Sequence, residues 1–418
     1  MNLYAFILGR KNLLSTAELC NVLKKDGHII DIQPESLIAS FKKPLLPPQA
    51  SLNRLGGTIK IVEIFTETSQ TVESIAPAIS EYLINEFKGQ SDKLTYGLSA
   101  YNFSQKHEEI LKSNLSFIKK NLKDAGIKAR YINKDYKNPK SAAIKDEGLV
   151  QKGSEIVIIK GEHKYFIGIT KALQDFEAYS HRDFEKPARD PKLGMLPPKL
   201  AQIMINLGGL TEIYTPDEHN EKHPLLYDPF TGTGTILTEG LLLDYSVVGS
   251  DISPEVIEKA DKNVKWTKSQ INTYNQTARL FPKDATTLTN HDLTPSPDLI
   301  VTESYLGPAV TSLPDQKTIK KNLSYVEELL FRFFKNLHPL IKKNTPVIIS
   351  IPAYKEKHEF HTIKNLPERI TKLGYKIVPL IPKEISAKFS LPQTERHSLI
   401  YDRPDQYVGR EIFKIVRI

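Results

Sequence analysis

Short apolar runs alternate with amphipathic segments along the second half of the chain. The runs fall at 225–227, 247–249, 278–281, 298–302, 347–351 and 375–380, and helical patterns lie between most of them. This alternation is typical of a parallel, doubly wound sheet with helices on its faces. The last run, "GREIFKIVRI", follows "HSLIYD" after a short turn. A hairpin there would add an antiparallel strand to the sheet.

The first half shows a different pattern, which predicts an α+β arrangement. "LYAFILG" predicts a strand, and Ser15 is expected to cap a helix that runs to Gly27. A strand over 96–101, a helix, the strand "KARYI" and a hairpin around Gly161 follow. Residues 180–200 are rich in proline and charge, which predicts a boundary between the two halves.

Length and composition limit the classes of protein that need to be considered. A chain of 418 residues suggests two to three domains. No apolar run reaches about 18 residues, so no membrane span is expected. The N-terminal apolar run has no basic segment before it and is interpreted as a strand, not a signal peptide. Cys20 is the single cysteine, which excludes a disulfide scaffold and favours a reducing, cytoplasmic location.

Positive charge is concentrated in one region of this basic chain. The net charge is +8, and residues 101–140 carry ten Lys and Arg against four Asp and Glu. A helical stripe of leucine and isoleucine in this region predicts that one face packs inward and that the basic side chains point elsewhere. Such a surface is either a solvated helix face or a site that contacts phosphates. The candidate phosphate-binding residues are Lys112, Lys119, Lys120, Lys123, Lys128 and Arg130.

The strongest local signal is "LLYDPFTGTGTILTEGLLL" at 225–243. A strand ends at Asp228, a glycine-rich turn follows, and an apolar helix is expected to begin near Thr233. Gly232 and Gly234 would let the backbone approach a ligand closely, and the helix start offers free N–H groups. The turn is not G-x-G-x-x-G, and Asp228 would repel a pyrophosphate. A carboxylate at this position suits a cationic ligand group better than it suits a pyrophosphate.

Two more acidic residues follow the next two predicted strands. Asp251 ends the second strand, where a carboxylate can accept both hydroxyls of a ribose, and Ser253 with Pro254 is expected to begin a helix. Asp284 follows the third strand. Each acid alone could be a plain helix cap, and for Asp284 alone that alternative is favoured. Together the three acids predict an adenosine pocket.

These motifs resemble a known family. "DPFTGTG", with the spacing to Asp251 and Asp284, resembles the class I S-adenosylmethionine-dependent methyltransferases. "RDFEKPARDPKLGMLPPKLAQIMINLGG" at 182–209 is very similar to the segment before the catalytic domain of the THUMP-domain RNA methyltransferases, which make N2-methylguanosine in tRNA. "YAFILGRKNLLSTAEL" and "FIGITKALQDFEAYSHRDF" resemble the N-terminus and the end of the THUMP domain of that group. The resemblance therefore covers nearly the whole chain.

The resemblance implies a fold, a cofactor and a partner. The fold class is α/β, a Rossmann-like methyltransferase domain with an antiparallel last strand, preceded by α+β ferredoxin-like and THUMP domains. The implied boundaries are 1–70 (ferredoxin-like), 71–178 (THUMP, RNA-binding), 179–205 (a linker contributing to the cofactor site) and 206–418 (methyltransferase). The cofactor would be S-adenosylmethionine. The partner would be tRNA, bound by the six basic residues between Lys112 and Arg130 that are named above as candidate phosphate-binding residues.

The resemblance also implies the residues that bind the cofactor. They are Met195, Leu196, Pro197, Asp228, Pro229, Phe230, Gly232, Gly234, Asp251, Ile252, Asp284 and Ala285. For the proline-containing segment at 195–198, a rigid linker is an alternative interpretation. No metal is expected, since "HEFH" (His358 to His361) lacks the spacing of a zinc-binding helix.

The stretch "DLIVTESYLGP" at 298–308 departs from the family pattern. Members of the family usually carry Asp-Pro-Pro-Tyr-Gly where this chain has Glu303, Ser304, Tyr305, Leu306 and Gly307. The acid and a proline carbonyl orient the target amine in the family, and the aromatic ring stacks on the extruded base. Here the acid is one methylene longer, both prolines are gone, and the aromatic residue comes one place earlier.

The predicted function is methylation of the N2 amine of a guanosine in tRNA by direct displacement. Glu303 would accept a hydrogen bond from the amine and help to remove its proton, Tyr305 would stack on the base, and Ser304 completes the predicted catalytic loop. Three alternatives stay open: a different target atom, an RNA-binding protein with a vestigial catalytic domain, and a dinucleotide oxidoreductase. The last rests only on the glycine turn and Asp251.

Overall fold

The computed structural model describes residues 1–45, 47–68, 71–103, 106–189, 195–210, 223–271, 275–310, 312–357, 359–392, 394–404 and 406–418. Part of the predicted linker (190–194) and His358 of "HEFH" lie outside the described residues. The chain divides into two compact units. One contains 1–12, 23–53 and 58–175, and the other contains 13–22, 54–57 and 176–418. Among the described helices, none is both long enough and apolar enough to cross a membrane.

The elements have the following bounds. The strands are β1 (Asn2–Leu8), β2 (Gly27–Gln33), β3 (Ser36–Phe41), β4 (Thr58–Thr68), β5 (Leu94–Tyr101), β6 (Ala129–Tyr131), β7 (Glu155–Lys160), β8 (Tyr165–Leu173), β9 (Leu225–Asp228), β10 (Ser246–Asp251), β11 (Ala278–Pro282), β12 (Leu299–Glu303), β13 (Pro346–Glu356), β14 (Glu359–Thr362), β15 (Tyr375–Val378), β16 (Leu399–Tyr401) and β17 (Val408–Arg417). The helices are α1 (Asn12–Val22), α2 (Pro48–Asn53), α3 (Ile75–Phe87), α4 (His107–Asp124), α5 (Ser141–Asp146), α6 (Leu149–Lys152), α7 (Phe176–Phe184), α8 (Pro198–Leu207), α9 (Thr235–Leu242), α10 (Pro254–Gln270), α11 (Gln316–Leu337), α12 (Leu366–Lys372) and α13 (Lys383–Lys388).

The first unit is built on one sheet in the order β2-β3-β1-β4-β8-β7-β5-β6. Strands β4 and β8 pair antiparallel, so the regions predicted as separate domains at 1–70 and 71–178 contribute to the same sheet. The four-part division of the chain stays a prediction. The predicted hairpin around Gly161 is confirmed by the antiparallel pair β7 and β8.

Helix α4 confirms the periodicity read from the sequence. Its apolar stripe is fully buried and consists of Leu111, Leu115, Ile118 and Leu122. The six basic residues predicted to contact phosphates are all exposed, and Arg130 pairs with Glu147 at 2.6 Å. Burial of the stripe therefore turns the lysines toward solvent, as amphipathic spacing requires. Their role in RNA binding stays a prediction.

The second unit contains the sheet that carries the predicted site. Its strand order is β11-β10-β9-β12-β13-β17-β15. Neighbouring strands from β11 to β13 are parallel, and β17 runs antiparallel to both β13 and β15. This is the Rossmann-like methyltransferase fold with an antiparallel strand inserted near the edge, and it confirms the predicted fold class. Because the strands are parallel, β9, β10, β11 and β12 end at the same edge of the sheet.

The core of this unit forms where the apolar face of α11 packs on the sheet. Buried side chains of α11 recur at helical spacing and include Val326, Leu330, Phe333, Phe334 and Leu337. They meet strand residues such as Ile300 and Ile349. Full burial of each such side chain contributes roughly 1.5–3 kcal/mol, so this face fixes α11 beside the end of β12.

Two helix starts differ from the prediction. Helix α1 begins at Asn12 and ends at Val22, so Ser15 is a buried residue inside the helix and not its cap. The backbone of Gly57 passes close to the side chain of Ser15, because a Cβ at Gly57 would lie only 2.6 Å from Oγ of Ser15. Helix α9 begins at Thr235, two residues after the predicted start, because Gly234 still has a left-handed φ of +83°.

Candidate active site

The glycine turn after β9 leaves its backbone open on one side. The amide of Thr231 donates to the carbonyl of Ser250 at 3.0 Å, which holds the turn against the end of β10. Gly232 has a φ of +53°, and a Cβ built there would meet no atom within 4 Å. The positive φ favours glycine at this position, and the absence of a side chain keeps the surface accessible.

Asp251 is held at the end of β10 by two backbone amides. Its Oδ2 accepts from the amide of Gly232 and its Oδ1 from the amide of Ser253, both at 3.1 Å. Ser253 caps α10 as predicted, because its hydroxyl accepts from the amide of Val256 at 3.3 Å. A carboxylate has about four lone-pair sites, so two remain for ligand hydroxyls. Ile252 is 71% exposed and offers an apolar surface beside them.

Asp228 is a buried carboxyl group at the centre of the edge. Its Oδ1 accepts from Oγ1 of Thr302 at 2.6 Å and from the amide of Phe230 at 3.2 Å. Burial raises its pKa to about 7; the two hydrogen bonds lower the pKa, and the charges of Asp251 and Glu303 raise it. A cationic ligand group would stabilise the ionised form of Asp228. The buried carboxylate therefore favours binding of a positively charged ligand group at this position.

Glu303 ends β12 and is held by a buried arginine. Its Oε1 accepts from Nε of Arg410, and its Oε2 lies 3.4 Å from Nη2 of the same guanidinium. The side chain of Arg410 is only 3% exposed. Ser304 is buried, and its amide donates to the carbonyl of Ser350 at 2.9 Å. Tyr305 is 45% exposed. The carboxylate of Glu303 is thus held by a buried partner, while the aromatic ring two residues later is accessible to solvent.

The loop after Tyr305 is held closely by its neighbours. Gly307 has a φ of +95°, and a Cβ there would lie 2.6 Å from Oη of Tyr354. Tyr354 is buried, and Nδ2 of Asn322 on α11 donates to its hydroxyl at 3.0 Å. Gly307 is therefore required both by backbone conformation and by lack of space.

Asp284 caps a short helix, which is the alternative that the sequence favoured for this residue alone. Its Oδ1 accepts from the amide and the hydroxyl of Thr286, each at 2.8 Å, and it caps the short 3-10 helix Ala285–Thr287. The residue follows β11, whose Pro282 is paired with Asp251, so it lies at the same edge of the sheet. Ala285 beside it is buried. A contribution of Asp284 and Ala285 to a cofactor pocket stays a prediction.

The remaining predicted cofactor residues are mostly packed. Pro229 is buried, and the ring of Phe230 meets that of Phe333 edge-on, with centroids 5.4 Å apart. Leu196 and Pro197 are buried and Met195 is partly buried, and α8 begins directly after Pro197. This arrangement agrees with the rigid-linker interpretation of the segment. Its contribution to cofactor binding stays a prediction.

Two residues near the site were missed in the sequence. Arg410 contacts Glu303 although 107 positions separate them. Charged residues alternate with apolar ones along the strand "GREIFKIVRI", and nothing in that pattern singles out Arg410 as a buried charge with a distant partner. Lys186 is buried, with its Nζ 3.1 Å from Oγ1 of Thr235, the first residue of α9. Burial lowers the pKa of this ammonium group. Lys186 lies in the segment at 182–209 that resembles the family, but nothing in that segment indicated that its side chain would be buried.

The strand order and the carboxylates at one edge thus define a Rossmann-like methyltransferase fold with a candidate ligand site. No family model matches the chain. Over 72 residues it is 36% identical to the tRNA (guanine(10)-N2)-dimethyltransferase of Methanothermobacter thermautotrophicus, a match that spans 17% of this chain and 18% of that protein.

Solved structures of similar length also align with the chain. TrmN from Thermus thermophilus is 14% identical with a TM-score of 0.48, and the alignment covers 100% of this chain and 99% of TrmN. A possible methylase from Clostridium difficile is 12% identical with a TM-score of 0.49, covering 100% and 98% of the two chains.

Proposed function

We propose that this protein is an S-adenosylmethionine-dependent RNA methyltransferase that methylates the N2 amine of a guanosine in tRNA. One observation carries the proposal: Asp251, Asp228 and Glu303 end three neighbouring strands at one edge, beside an open glycine turn. The 72-residue match to a tRNA guanine-N2 dimethyltransferase supports the choice of base and target atom.

The residues at this edge suit the cofactor. The two lone-pair sites left on Asp251 match the two ribose hydroxyls, and the exposed side chain of Ile252 can cover the adenine ring. Asp228 provides negative charge for the cationic end of the molecule, and the missing Cβ at Gly232 leaves room for it. When bound, S-adenosylmethionine would supply a methyl group for direct transfer to the amine nitrogen, with the neutral thioether S-adenosylhomocysteine as the leaving group.

The loop after β12 would orient the nucleotide. Glu303 accepts a hydrogen bond from the target amine, which directs the nitrogen lone pair, and then takes the departing proton and passes it to water. Arg410 keeps the carboxylate in place for both steps. Tyr305 stacks on the base, and the exposed basic residues around α4 contact the tRNA backbone.

Methyl transfer to unmodified tRNA tests the proposal. The protein is incubated with tRNA and methyl-labelled S-adenosylmethionine, and the nucleosides are analysed by mass spectrometry. We expect N2-methylated guanosine from the natural protein and none from a Glu303→Gln variant that still binds the cofactor. Label in another nucleoside would replace the proposed target atom with a different one.

A second candidate is an RNA-binding protein whose catalytic domain is vestigial. The engagement of Glu303 by Arg410 and the loss of both prolines after the acid favour it. A protein that binds tRNA and cofactor but leaves every nucleoside unlabelled would establish this candidate in place of the enzyme.

A further inference from the structure

The first half of α11 carries a stripe of basic and aromatic residues on its surface. Lys317, Lys321 and Tyr325 are spaced four residues apart, so they lie on one face of the helix, and all three are exposed. Lys320 is exposed beside them. We refer to Lys317, Lys321 and Tyr325 as the α11 stripe.

The stripe ends at an exposed pair of aromatic rings. The rings of Tyr325 and Tyr305 meet edge-to-face, with centroids 6.0 Å apart and planes at 83°. Tyr325 is 58% exposed and Tyr305 45%, although aromatic rings stabilise a fold mainly when they are buried. Tyr305 follows Glu303 by two residues, so the pair lies next to the proposed reaction site.

None of these lysines forms an ion pair with a carboxylate among the described residues. Positions 316–325 contain three lysines and no acidic residue, while the carboxylate of Asp315 is engaged by the amide and hydroxyl of Thr318. Lysines in the first turns of a helix are not stabilised by the helix macrodipole, which favours acids there. A solvated face would explain the lysines alone, but it does not explain the exposed aromatic pair beside them.

We propose that the α11 stripe binds single-stranded RNA next to the target nucleotide. Tyr325 stacks on a flanking base, and Lys317 and Lys321 contact phosphates. Bases offer flat faces and phosphates offer negative charge, and proteins that bind single strands combine the same two features. An acidic peptide would match the lysines but would leave the aromatic faces without a partner. The inference rests on the proposed function for the class of ligand.

The experiment compares variants of the full chain by the fluorescence anisotropy of a labelled single-stranded RNA. We expect Tyr325→Ala to bind about 5- to 150-fold more weakly, because a stacking contact is lost, and Tyr325→Phe to bind normally. Lys317→Ala combined with Lys321→Ala should lower the slope of log affinity against log salt by about 1–2. The matched control is Arg332→Ala with Lys335→Ala, two exposed basic residues on the second half of the same helix.

Two results of these binding measurements would contradict the proposal. Unchanged affinity in Tyr325→Ala and in the lysine variant would overturn the proposal, and so would an equal loss in the control variant. Thermal unfolding of each variant should match that of the natural protein, because every substituted side chain is exposed. RNA binding is measured without methyl transfer. A failure of the natural protein to methylate tRNA would therefore refute the proposed reaction and leave this test valid.

Discussion

Replacing Asp228 by asparagine should make the protein more stable and bind its cofactor less tightly. Asparagine has the same shape, and its carbonyl oxygen can still accept from Thr302 and from the amide of Phe230. The substitution removes only the buried charge. That charge is costly in the free protein, because burial raises the pKa of the carboxyl group to about 7.

The magnitude follows from proton linkage. The ordinary pKa of 3.8 applies to the unfolded chain, and the folded value is about 7. Between these values the folded state holds the proton that the unfolded state has lost, so stability falls as pH rises through this window. Each pKa unit corresponds to about 1.4 kcal/mol, which makes the cost about 4 kcal/mol at pH 8 and about 2 kcal/mol at pH 5.

Urea unfolding of both proteins at pH 5 and pH 8, followed by circular dichroism, measures this cost. The stability advantage of Asp228→Asn should be larger at pH 8 by about 2–3 kcal/mol. Glu18, whose pKa burial also raises to about 7, is present in both proteins and does not affect the difference. Calorimetry should show weaker binding of S-adenosylmethionine to the variant, because the attraction to its positive charge is lost.

A matched control is Asp284→Asn, the same substitution at a partly exposed cap. Asparagine and aspartate cap helices about equally well, so we expect a change of less than about 0.5 kcal/mol. If Asp228→Asn gains no stability at pH 8, or if its advantage is the same at both pH values, the carboxylate of Asp228 is not a costly buried charge.

Three further predictions concern the same edge of the sheet. Asp251→Ala should weaken binding of the cofactor by about 1–3 kcal/mol in calorimetry, since the ribose hydroxyls lose their acceptor, and unchanged affinity would remove Asp251 from the site. Glu303→Ala should abolish turnover with cofactor affinity retained, and full turnover would mean that another group orients the amine. The same substitution should cost about 3–5 kcal/mol in urea unfolding, because the buried Arg410 loses its ion pair with Glu303. Gly307→Ala should reduce turnover, since the new methyl group approaches Oη of Tyr354 and the backbone is strained by about 1–2 kcal/mol. Adding Tyr354→Phe should restore part of the activity, and no recovery would mean that the strain alone matters.

Much of the candidate site was predictable because its signals are local. The glycine turn, the acid that ends β9 and the acid that ends β10 are close in sequence, and apolar runs mark the strands that carry them. Once the strands are parallel and adjacent, their ends must meet at one edge. The buried stripe of α4 was predictable for the same reason, since amphipathic periodicity depends only on residues three and four apart.

Other features required the tertiary structure. Asp284 follows a strand as the pattern predicts, and only the coordinates show that its carboxylate also caps the next turn. Its contribution to ligand binding stays a prediction. Ser15 is a good capping residue by type, but α1 begins one turn earlier and places it in a buried position. Local preference indicates what a residue can do, and packing decides which of those roles it takes.

The class of fold, the glycine turn and the acids along one edge of the sheet follow from the pattern of residues alone, because periodicity and turn chemistry act over a few residues. That pattern does not show that Arg410 contacts Glu303, or that Tyr325 lies against Tyr305. These pairs exist because β17 inserts beside β13 and because the apolar face of α11 packs on the sheet beside β12. The free energy of burying those surfaces is shared by the whole unit, so no short stretch of sequence contains it.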